Sequence, residues 1–272
     1  MPELPEVETV RRSLLPLIVG QKPRRIEIFN ESVVACGDLA DLLGLEIMDI
    51  GRRGKYLIIY FEKELTLVVH LRMTGRLLWR EQPLPLPKHS HVVFRMEQGG
   101  ELVFADVRRF GRLWLVPQSG LKEISGLCKL ALEPLDEGFS SENLQQNLQR
   151  HKKAPIKAVL LDQTVVAGLG NIYVDEVLFA AKLNPMRLTG NLTESEIAVL
   201  AEVMPQILAY AIEKRGTTFR DYVDGNNQSG TYQDFLKVFH KEGEKCSVCG
   251  TVILKTKVGG RSTFYCPNCQ PK

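Results

Sequence analysis

The chain has 272 residues, of which 44% are hydrophobic and 25% are charged, and its formal net charge is +3. This composition is typical of a globular protein and excludes collagen-like, coiled-coil and disordered chains. We expect no membrane span, because no uninterrupted run of about 18 apolar residues occurs. We also expect no secretory signal, because the chain does not start with a basic segment followed by an apolar run.

The first residues combine a possible nucleophile with a neighbouring acid. Methionine before proline is readily removed, and loss of Met1 would leave Pro2 with a free secondary amine. A terminal amine has a pKa of about 7.7–8.0, so part of it is unprotonated near neutral pH. Such an amine can attack a sugar aldehyde carbon and form an iminium ion, and Glu3 is placed to transfer protons. The alternative is that Glu3 only complements the dipole of the helix that follows.

Apolar residues at helical spacing from Val7 to Ile18 predict a first helix, which Pro16 should kink or end early. Short segments rich in Val, Ile and Phe then predict strands, and Gly99-Gly100 predicts a hairpin between two of them. Strands at this spacing indicate an antiparallel sandwich or barrel. The predicted strands are Arg24–Phe29, Tyr56–Phe61, Leu65–Leu71, His91–Met96, Glu101–Val107 and Arg112–Val116.

A segment rich in Pro and Gly, residues 117–140, separates the strands from a helical region and predicts a linker. Short helices are expected around Leu144 and after Pro155. Asn171 begins a further helix that runs to about Lys182, and the Gly-rich turn before it favours a phosphate site. A capping box of Thr193 and Glu196 predicts a long helix to about Gly216, with a bend at Pro205.

The C-terminal segment combines positive charge with paired cysteines. Residues 237–272 carry seven Lys or Arg and two acids, a balance of +5 that leaves −2 for the rest of the chain. A basic end favours a polyanionic partner, and a solvated tail is the alternative. Two C-x2-C pairs separated by 16 residues are typical of a structural zinc site with four thiolates. Two disulfides are the alternative, which a reducing compartment disfavours. The predicted ligands of one Zn²⁺ are Cys246, Cys249, Cys266 and Cys269.

The chain resembles the bacterial formamidopyrimidine-DNA glycosylase family, also called 8-oxoguanine-DNA glycosylases, along its whole length. Leu4 distinguishes it from the endonuclease VIII group, which usually has glycine there. The matching stretches are PELPEVETVRRSL (2–14), GRRGKYL (51–57), HLRMTG (70–75), DVRRFG (106–111), LLDQTVVAGLGNIYVDE (160–176) and VGGRSTFYCPNC (258–269).

The resemblance implies an α+β fold. An N-terminal antiparallel β-sandwich flanked by helices (1–130) precedes a helical domain with a helix–two-turn–helix motif and a lesion loop (131–236), and a zinc β-hairpin (237–272) follows. It implies base excision repair: removal of oxidised purines, then β,δ-elimination through an iminium on the N-terminal proline. The implied partner is double-stranded DNA containing oxidised bases or abasic sites. A monomeric protein of the bacterial cytoplasm, associated with the nucleoid, is expected.

The resemblance also implies roles for particular residues. Pro2 would be the nucleophile and Glu3 the general acid/base, with Glu6 in support. Lys55 would contact the lesion and its phosphate, and Arg261 would bind phosphates at the tip of the zinc hairpin. Met73, Arg108 and Phe110 would fill the gap left by the extruded nucleotide. The other implied DNA contacts are His70, His91, Lys157 and Asn171, and the implied lesion loop, Gly216–Tyr232, contributes Thr217, Thr218, Arg220 and Tyr222.

Several interpretations stay open on the residues alone. Lys55 could be a surface turn lysine, Met73 and Phe110 could be core residues, and His70 and His91 could be ordinary core or surface histidines. Thr74 stands where some members of the family have Glu, so lesion preference does not transfer in detail. The alternative functions are an endonuclease VIII-like glycosylase for oxidised pyrimidines and a non-enzymatic zinc protein that binds DNA.

Overall fold

The computed structural model describes residues 2–82 and 85–272, so Met1, whose loss would free the Pro2 amine, lies outside the described residues. The chain forms two compact units, and each is described by itself below. Residues 1–128 and 214–233 form the N-terminal unit, and residues 129–213 and 234–272 form the C-terminal unit. The predicted division into three domains stays a prediction.

Helix α1, Leu4–Ile18, opens the N-terminal unit. Its apolar face is fully buried, as the spacing of Val7, Val10, Leu14 and Ile18 predicts. Of the two predicted effects of Pro16, the early end of the helix is wrong, because the helix continues to Ile18, and the kink stays a prediction. Pro16 lies in the last turn of α1, and only two helical residues follow it. The proline therefore disturbs few backbone hydrogen bonds, and its cost to the helix is small.

Two sheets share one core with α1. One sheet has the strand order β1-β7-β8-β6 and the other has the order β2-β9-β5-β4-β3. Side chains from both sheets and from α1 belong to one hydrophobic cluster, as expected for a sandwich whose inner faces pack together. The strands are β1 Pro23–Ile28, β2 Val34–Cys36, β3 Ile47–Arg53, β4 Tyr56–Phe61, β5 Leu65–His70, β6 Gly75–Arg80, β7 Ser90–Met96, β8 Glu101–Asp106 and β9 Arg112–Pro117, and a short helix α2, Ser125–Cys128, follows them.

All six predicted strands are present within one residue of their predicted ends, and the predicted hairpin at Gly99-Gly100 joins β7 to β8. Strands β2, β3 and β6 were not predicted from the sequence. The predicted antiparallel pairing is confirmed for six of the seven strand pairs in the described part of the N-terminal unit, and the exception is β2, which pairs with β9 in parallel. A three-residue edge strand is too short for its pairing to be read from a periodic pattern.

The C-terminal unit is helical and ends in a two-stranded hairpin. Its helices are α3 Ser141–Leu148, α4 Ile156–Leu160, α5 Asn171–Ala180 and α6 Glu194–Glu213, and its strands are β10 Leu254–Val258 and β11 Arg261–Tyr265. The predicted capping box of α6 is confirmed. The Thr193 amide donates to Glu196 Oε2 at 2.8 Å, and the Glu196 amide donates to Thr193 Oγ1 at 3.3 Å.

Helix α6 is also long and apolar enough to cross a membrane, by length and composition alone. One such helix is weak support for a span, because core helices pass the same test. Here α6 packs against α3 and α5 in the same unit, and its buried residues include Leu200, Met204 and Leu208.

Candidate active site and nucleic-acid interface

The N-terminus of α1 fixes the two acids of the predicted catalytic group. Glu3 is the N-cap of α1 and forms a capping box with Glu6. The Glu3 amide donates to Glu6 Oε2 at 2.8 Å, and the Glu6 amide donates to the Glu3 side chain. Both acids are buried, with 2% and 1% of their surfaces exposed. The capping box therefore fixes the Glu3 side chain, which follows Pro2 directly in the chain, and Pro2 is itself buried.

The same Glu6 carboxyl also binds the predicted lesion loop. Its second oxygen, Oε1, accepts from the Thr217 amide at 2.7 Å, and the Tyr222 hydroxyl donates to the Glu6 carbonyl at 3.2 Å. Burial raises the pKa of Tyr222, so the hydroxyl stays a donor. Thr217 is buried and Arg220 is exposed. The loop is thus attached to α1 through Thr217 and Tyr222.

Lys55 lies in the two-residue turn between β3 and β4. Gly54 occupies the first position of this turn with φ +56°, a conformation that favours glycine. Only 6% of the Lys55 surface is exposed, so it is not the surface turn lysine of the alternative interpretation.

His70 ends β5 near this turn and is buried. Its Nδ1 accepts from the Arg72 amide at 3.0 Å, so the proton of the neutral ring is on Nε2. Burial lowers the pKa of His70 to about 3, and the charges of Arg72 and Lys55 act in the same direction. At neutral pH, His70 can therefore offer DNA a neutral N–H donor but no positive charge.

The predicted gap-filling residues lie on two turns of the β-sheets and not in the core. Met73 is half-buried in the turn between β5 and β6, and Phe110 is 47% exposed in the loop between β8 and β9. The Arg108 guanidinium lies 4.7 Å from the centre of the Phe110 ring. His91 is buried, and its Nε2 donates to the Asp106 carbonyl at 2.7 Å, so it supports the start of the Phe110 loop.

In the C-terminal unit, Lys157 and Asn171 converge on strand β11. The fully buried Lys157 ammonium donates to Asp175 Oδ1 at 2.7 Å and to the Ser262 carbonyl at 2.8 Å. Asn171, the first residue of α5, donates to the same carbonyl at 3.0 Å. Burial raises the pKa of Asp175 to about 7 against the opposing effects of Lys157 and the Phe264 amide. These contacts connect α4 and α5 to the zinc hairpin.

The zinc hairpin presents Arg261 directly after its turn. Gly259 and Gly260 form the turn with φ +56° and +75°, a two-residue hairpin turn that requires positive φ at both positions. Val258 pairs with Arg261 across it, and Arg261 is exposed.

The four predicted zinc ligands come together at one end of this hairpin. Their sulfur atoms all lie within 4.8 Å of one another. Cys246 and Cys269 sulfurs are 3.9 Å apart, and Cys249 and Cys266 sulfurs are 3.4 Å apart. A tetrahedral zinc ion with Zn–S bonds of about 2.3 Å needs sulfur separations of about 3.8 Å, so the site fits zinc. No disulfide joins any of the four cysteines.

Comparison with known proteins gives a consistent result along the chain. Residues 1–113 match the formamidopyrimidine-DNA glycosylase N-terminal domain, residues 130–223 match the H2TH domain of the same enzymes, and residues 243–272 match the zinc finger found in FPG and IleRS. The formamidopyrimidine-DNA glycosylase of Pelotomaculum thermopropionicum is 49% identical over 99% of both chains. The chain belongs to the formamidopyrimidine-DNA glycosylase family.

Solved structures of this family superimpose on the whole chain. A Lactococcus lactis FPG mutant in complex with Fapy-dG-containing DNA is 43% identical, with a TM-score of 0.93 and complete coverage of both chains. The wild-type L. lactis protein in complex with oxidised pyrimidine-containing DNA is 42% identical, with a TM-score of 0.92 and the same coverage. The predicted α+β fold, the enzyme class and the structural zinc are confirmed.

Three buried acids hold segments that carry predicted site residues, and the sequence did not predict these roles. Asp106 supports the Phe110 loop, Asp175 pairs with Lys157, and Glu176 accepts from the amides of residues 237–239. One signal was available, because Asn171 and Asp175 are one helical turn apart in α5 and therefore share a face of that helix. The amide partners of Asp106 and Glu176 have no pattern in the sequence.

Proposed function

We propose that this protein removes oxidised purines, 8-oxoguanine and formamidopyrimidines, from double-stranded DNA and then cleaves the strand at the resulting abasic site. The observation that carries the proposal is the buried capping box at the start of α1. It fixes the buried side chain of Glu3, the residue after Pro2, and the Pro2 amine becomes free when Met1 is removed.

In the first step, the Pro2 nitrogen forms a bond to C1′ of the damaged nucleotide while the bond from C1′ to the base breaks. The base leaves with a proton. The sugar ring then opens as its oxygen leaves C1′ with a proton, and an iminium ion forms between C1′ and Pro2. The buried Glu3 carboxyl is the group closest in the chain to this centre and transfers the protons.

In the next steps, the iminium ion makes the neighbouring sugar protons acidic. Loss of a proton from C2′ expels the 3′ phosphate, and loss of a proton from C4′ expels the 5′ phosphate. Water then releases Pro2 from the remaining fragment. Glu6 keeps Glu3 in place through the capping box and attaches Thr217 to the same helix.

The remaining predicted residues bind the DNA. Arg261 suits a phosphate because its fork can bind two oxygens. Met73, Arg108 and Phe110 replace the base that leaves the stack, which costs a few kcal/mol. Lys55, His70 and Asn171 contact the phosphates and the lesion, and the buried Lys157 and His91 support this binding indirectly, by holding β11 and the loop between β8 and β9. Thr217, Thr218, Arg220 and Tyr222 enclose the extruded base. The zinc ion keeps the hairpin folded and takes no part in the reaction.

Borohydride trapping on a duplex with 8-oxoguanine tests the proposal. Reduction of the iminium ion should leave a stable crosslink, and mass spectrometry should place it on residue 2. Pro2→Gly should still be trapped, since glycine also has a terminal amine, whereas a chain that keeps Met1 should not. A crosslink on a lysine side chain would contradict the assignment. The absence of any crosslink would favour a non-enzymatic zinc protein that binds DNA.

The role of Glu3 has its own variant and control. Glu3→Gln should lower the excision rate by about 10²- to 10⁴-fold, the usual contribution of a general acid or base, with DNA binding retained. Glu31→Gln neutralises an exposed acid of the same unit and should leave the rate unchanged.

A second substrate class, oxidised pyrimidines, is favoured by the wild-type L. lactis relative, which was solved with oxidised pyrimidine-containing DNA. Competition between 8-oxoguanine and thymine glycol in the same duplex distinguishes the two classes. We expect faster excision of 8-oxoguanine. We further propose that the protein acts as a monomer in the bacterial cytoplasm, associated with the nucleoid.

A further inference from the structure

We propose that Thr74 is a positioning residue that joins the two gap-filling turns into one rigid element through the buried carboxyl of Asp106. The Met73 turn is residues 71–75, and the Phe110 loop is residues 107–110. The proposal rests on the proposed function, because the purpose of the element is to replace an extruded base.

Asp106 closes the Phe110 loop at both ends. Its side chain is buried, with 1% of the residue exposed. Oδ1 accepts from the Arg108 amide at 3.1 Å, and Oδ2 accepts from the Gly111 amide at 2.7 Å. A Cβ at Gly111 would lie 3.2 Å from the same Oδ2, so the glycine allows the close approach. One carboxyl therefore determines the path of the loop that carries Arg108 and Phe110.

Thr74 adds the Met73 turn to this arrangement. Gly75 pairs with Asp106 across β6 and β8, which brings Thr74 next to the carboxyl. The Thr74 hydroxyl donates to Asp106 Oδ1 at 2.5 Å and accepts from the Arg108 amide at 3.2 Å. A single hydroxyl thus donates to Asp106, the last residue of β8, and accepts from Arg108 in the Phe110 loop. A carboxylate at this position could not donate to Asp106, so this arrangement depends on Thr or Ser.

The backbone around each gap-filling residue shows why such a connection is needed. Arg72, directly before Met73, has φ +54°, and Arg109, directly before Phe110, has φ +57°. Residues other than glycine rarely adopt this region, and they keep it only where surrounding bonds determine it. The Thr74 hydroxyl accepts from the amide of Arg108, the residue before Arg109. It therefore adds a side-chain connection between the Met73 turn and the Phe110 loop to the backbone pairing of β6 with β8.

The test compares Thr74→Val, which keeps the shape but removes the hydroxyl, with Thr74→Ser, which keeps the hydroxyl. Loss of two hydrogen bonds should lower single-turnover excision of 8-oxoguanine by about tenfold, and Thr74→Ser should recover the wild-type rate to within about twofold. Binding to undamaged DNA should be unchanged. The fluorescence of 2-aminopurine placed beside the lesion should report slower insertion of the gap-filling residues in Thr74→Val, which a merely structural role would not produce.

Thr66→Val is the matched control. Thr66 lies on β5, and its buried hydroxyl has no hydrogen-bond partner among the residues that the structure describes. This variant should excise at the wild-type rate. Wild-type rates in Thr74→Val, measured with a wild type that excises normally, would overturn the proposal and leave the proposed function intact. A wild type without excision activity would refute the proposed function itself.

A double variant, Thr74→Val combined with Phe110→Ala, tests whether Thr74 acts through the connection between the two turns. If Thr74 acts by placing Met73 and Phe110 together, Thr74→Val should add little to the loss already caused by Phe110→Ala, because residues in one network are not additive. The same tenfold loss in both backgrounds would overturn the proposal.

Discussion

Both units place the predicted DNA-binding residues with buried carboxyls that accept backbone amides, but they differ in what supports those carboxyls. In the N-terminal unit, Glu6 and Asp106 accept from amides next to a core shared by two sheets and α1. In the C-terminal unit, Asp175 accepts from the Phe264 amide and Glu176 from the amides of residues 237–239. There, a buried ion pair and four clustered cysteines act together with the buried apolar residues of the helices.

This difference determines which changes would displace each set of site residues. The turns that carry Met73 and Phe110 depend on the sheet core and on the hydrogen bonds of Thr74 and Asp106 beside it. The hairpin that carries Arg261 depends on zinc and on the pair of Lys157 and Asp175. The zinc hairpin can therefore be lost while the N-terminal unit stays folded.

The largest expected effect follows removal of zinc. A structural zinc site contributes about 10–16 kcal/mol, so chelation should unfold the hairpin, expose the four thiols to labelling and weaken DNA binding. Both tryptophans, Trp79 and Trp114, lie in the N-terminal unit. Their fluorescence during urea unfolding should therefore give the same midpoint with and without chelator. A shifted midpoint would show that the two units do not unfold independently.

This dependence on zinc could be predicted from the sequence, because the cysteine spacing is itself the ligand set. The strong strands were predictable for a similar reason, since β4 is an unbroken apolar run. Strand β3, Ile47–Arg53, could not be predicted from its pattern because four of its seven residues are polar or glycine. It is defined by its pairing with β4 along the whole strand, a tertiary interaction that overrides weak local propensity.

The site residues also fall into those that a local sequence pattern predicts and those that depend on tertiary contacts. Pro2, Glu3 and the cysteines are local patterns, and sequence could predict them. The bond from Thr217 to Glu6 joins residues 211 positions apart, and the bond from the Phe264 amide to Asp175 joins residues 89 positions apart. Contacts at such separations depend on the packing of whole elements, so no local pattern indicates them.

The next largest effect is expected from Asp175→Ala. Removing one member of a buried ion pair costs about 3–5 kcal/mol, because the other charge stays buried. Hydrogen exchange of α5 and β11 should become faster by a corresponding factor, and zinc should be released at a lower temperature. Glu244→Ala breaks an exposed ion pair with Lys241 and should change stability by at most about 1 kcal/mol. Equal effects of the two variants on stability would show that the buried pair contributes no more to the C-terminal unit than an exposed pair does.

The smallest effect concerns His70 and tests the N-terminal unit by pH. Burial lowers the pKa of His70 to about 3 from 6.5, so between these values the unfolded chain binds a proton that the folded chain does not. The free energy of unfolding should therefore decrease by about 1.4 kcal/mol per pH unit as the pH falls below 6.5. Urea titrations followed by tryptophan fluorescence at pH 7.5 and pH 5 measure this loss, and His70→Asn should reduce it. His89→Asn removes an exposed histidine of the same unit and should leave the loss as in the wild type. If His70→Asn and the wild type lose the same stability, His70 is protonated in the folded protein, and its contact with DNA would carry charge after all.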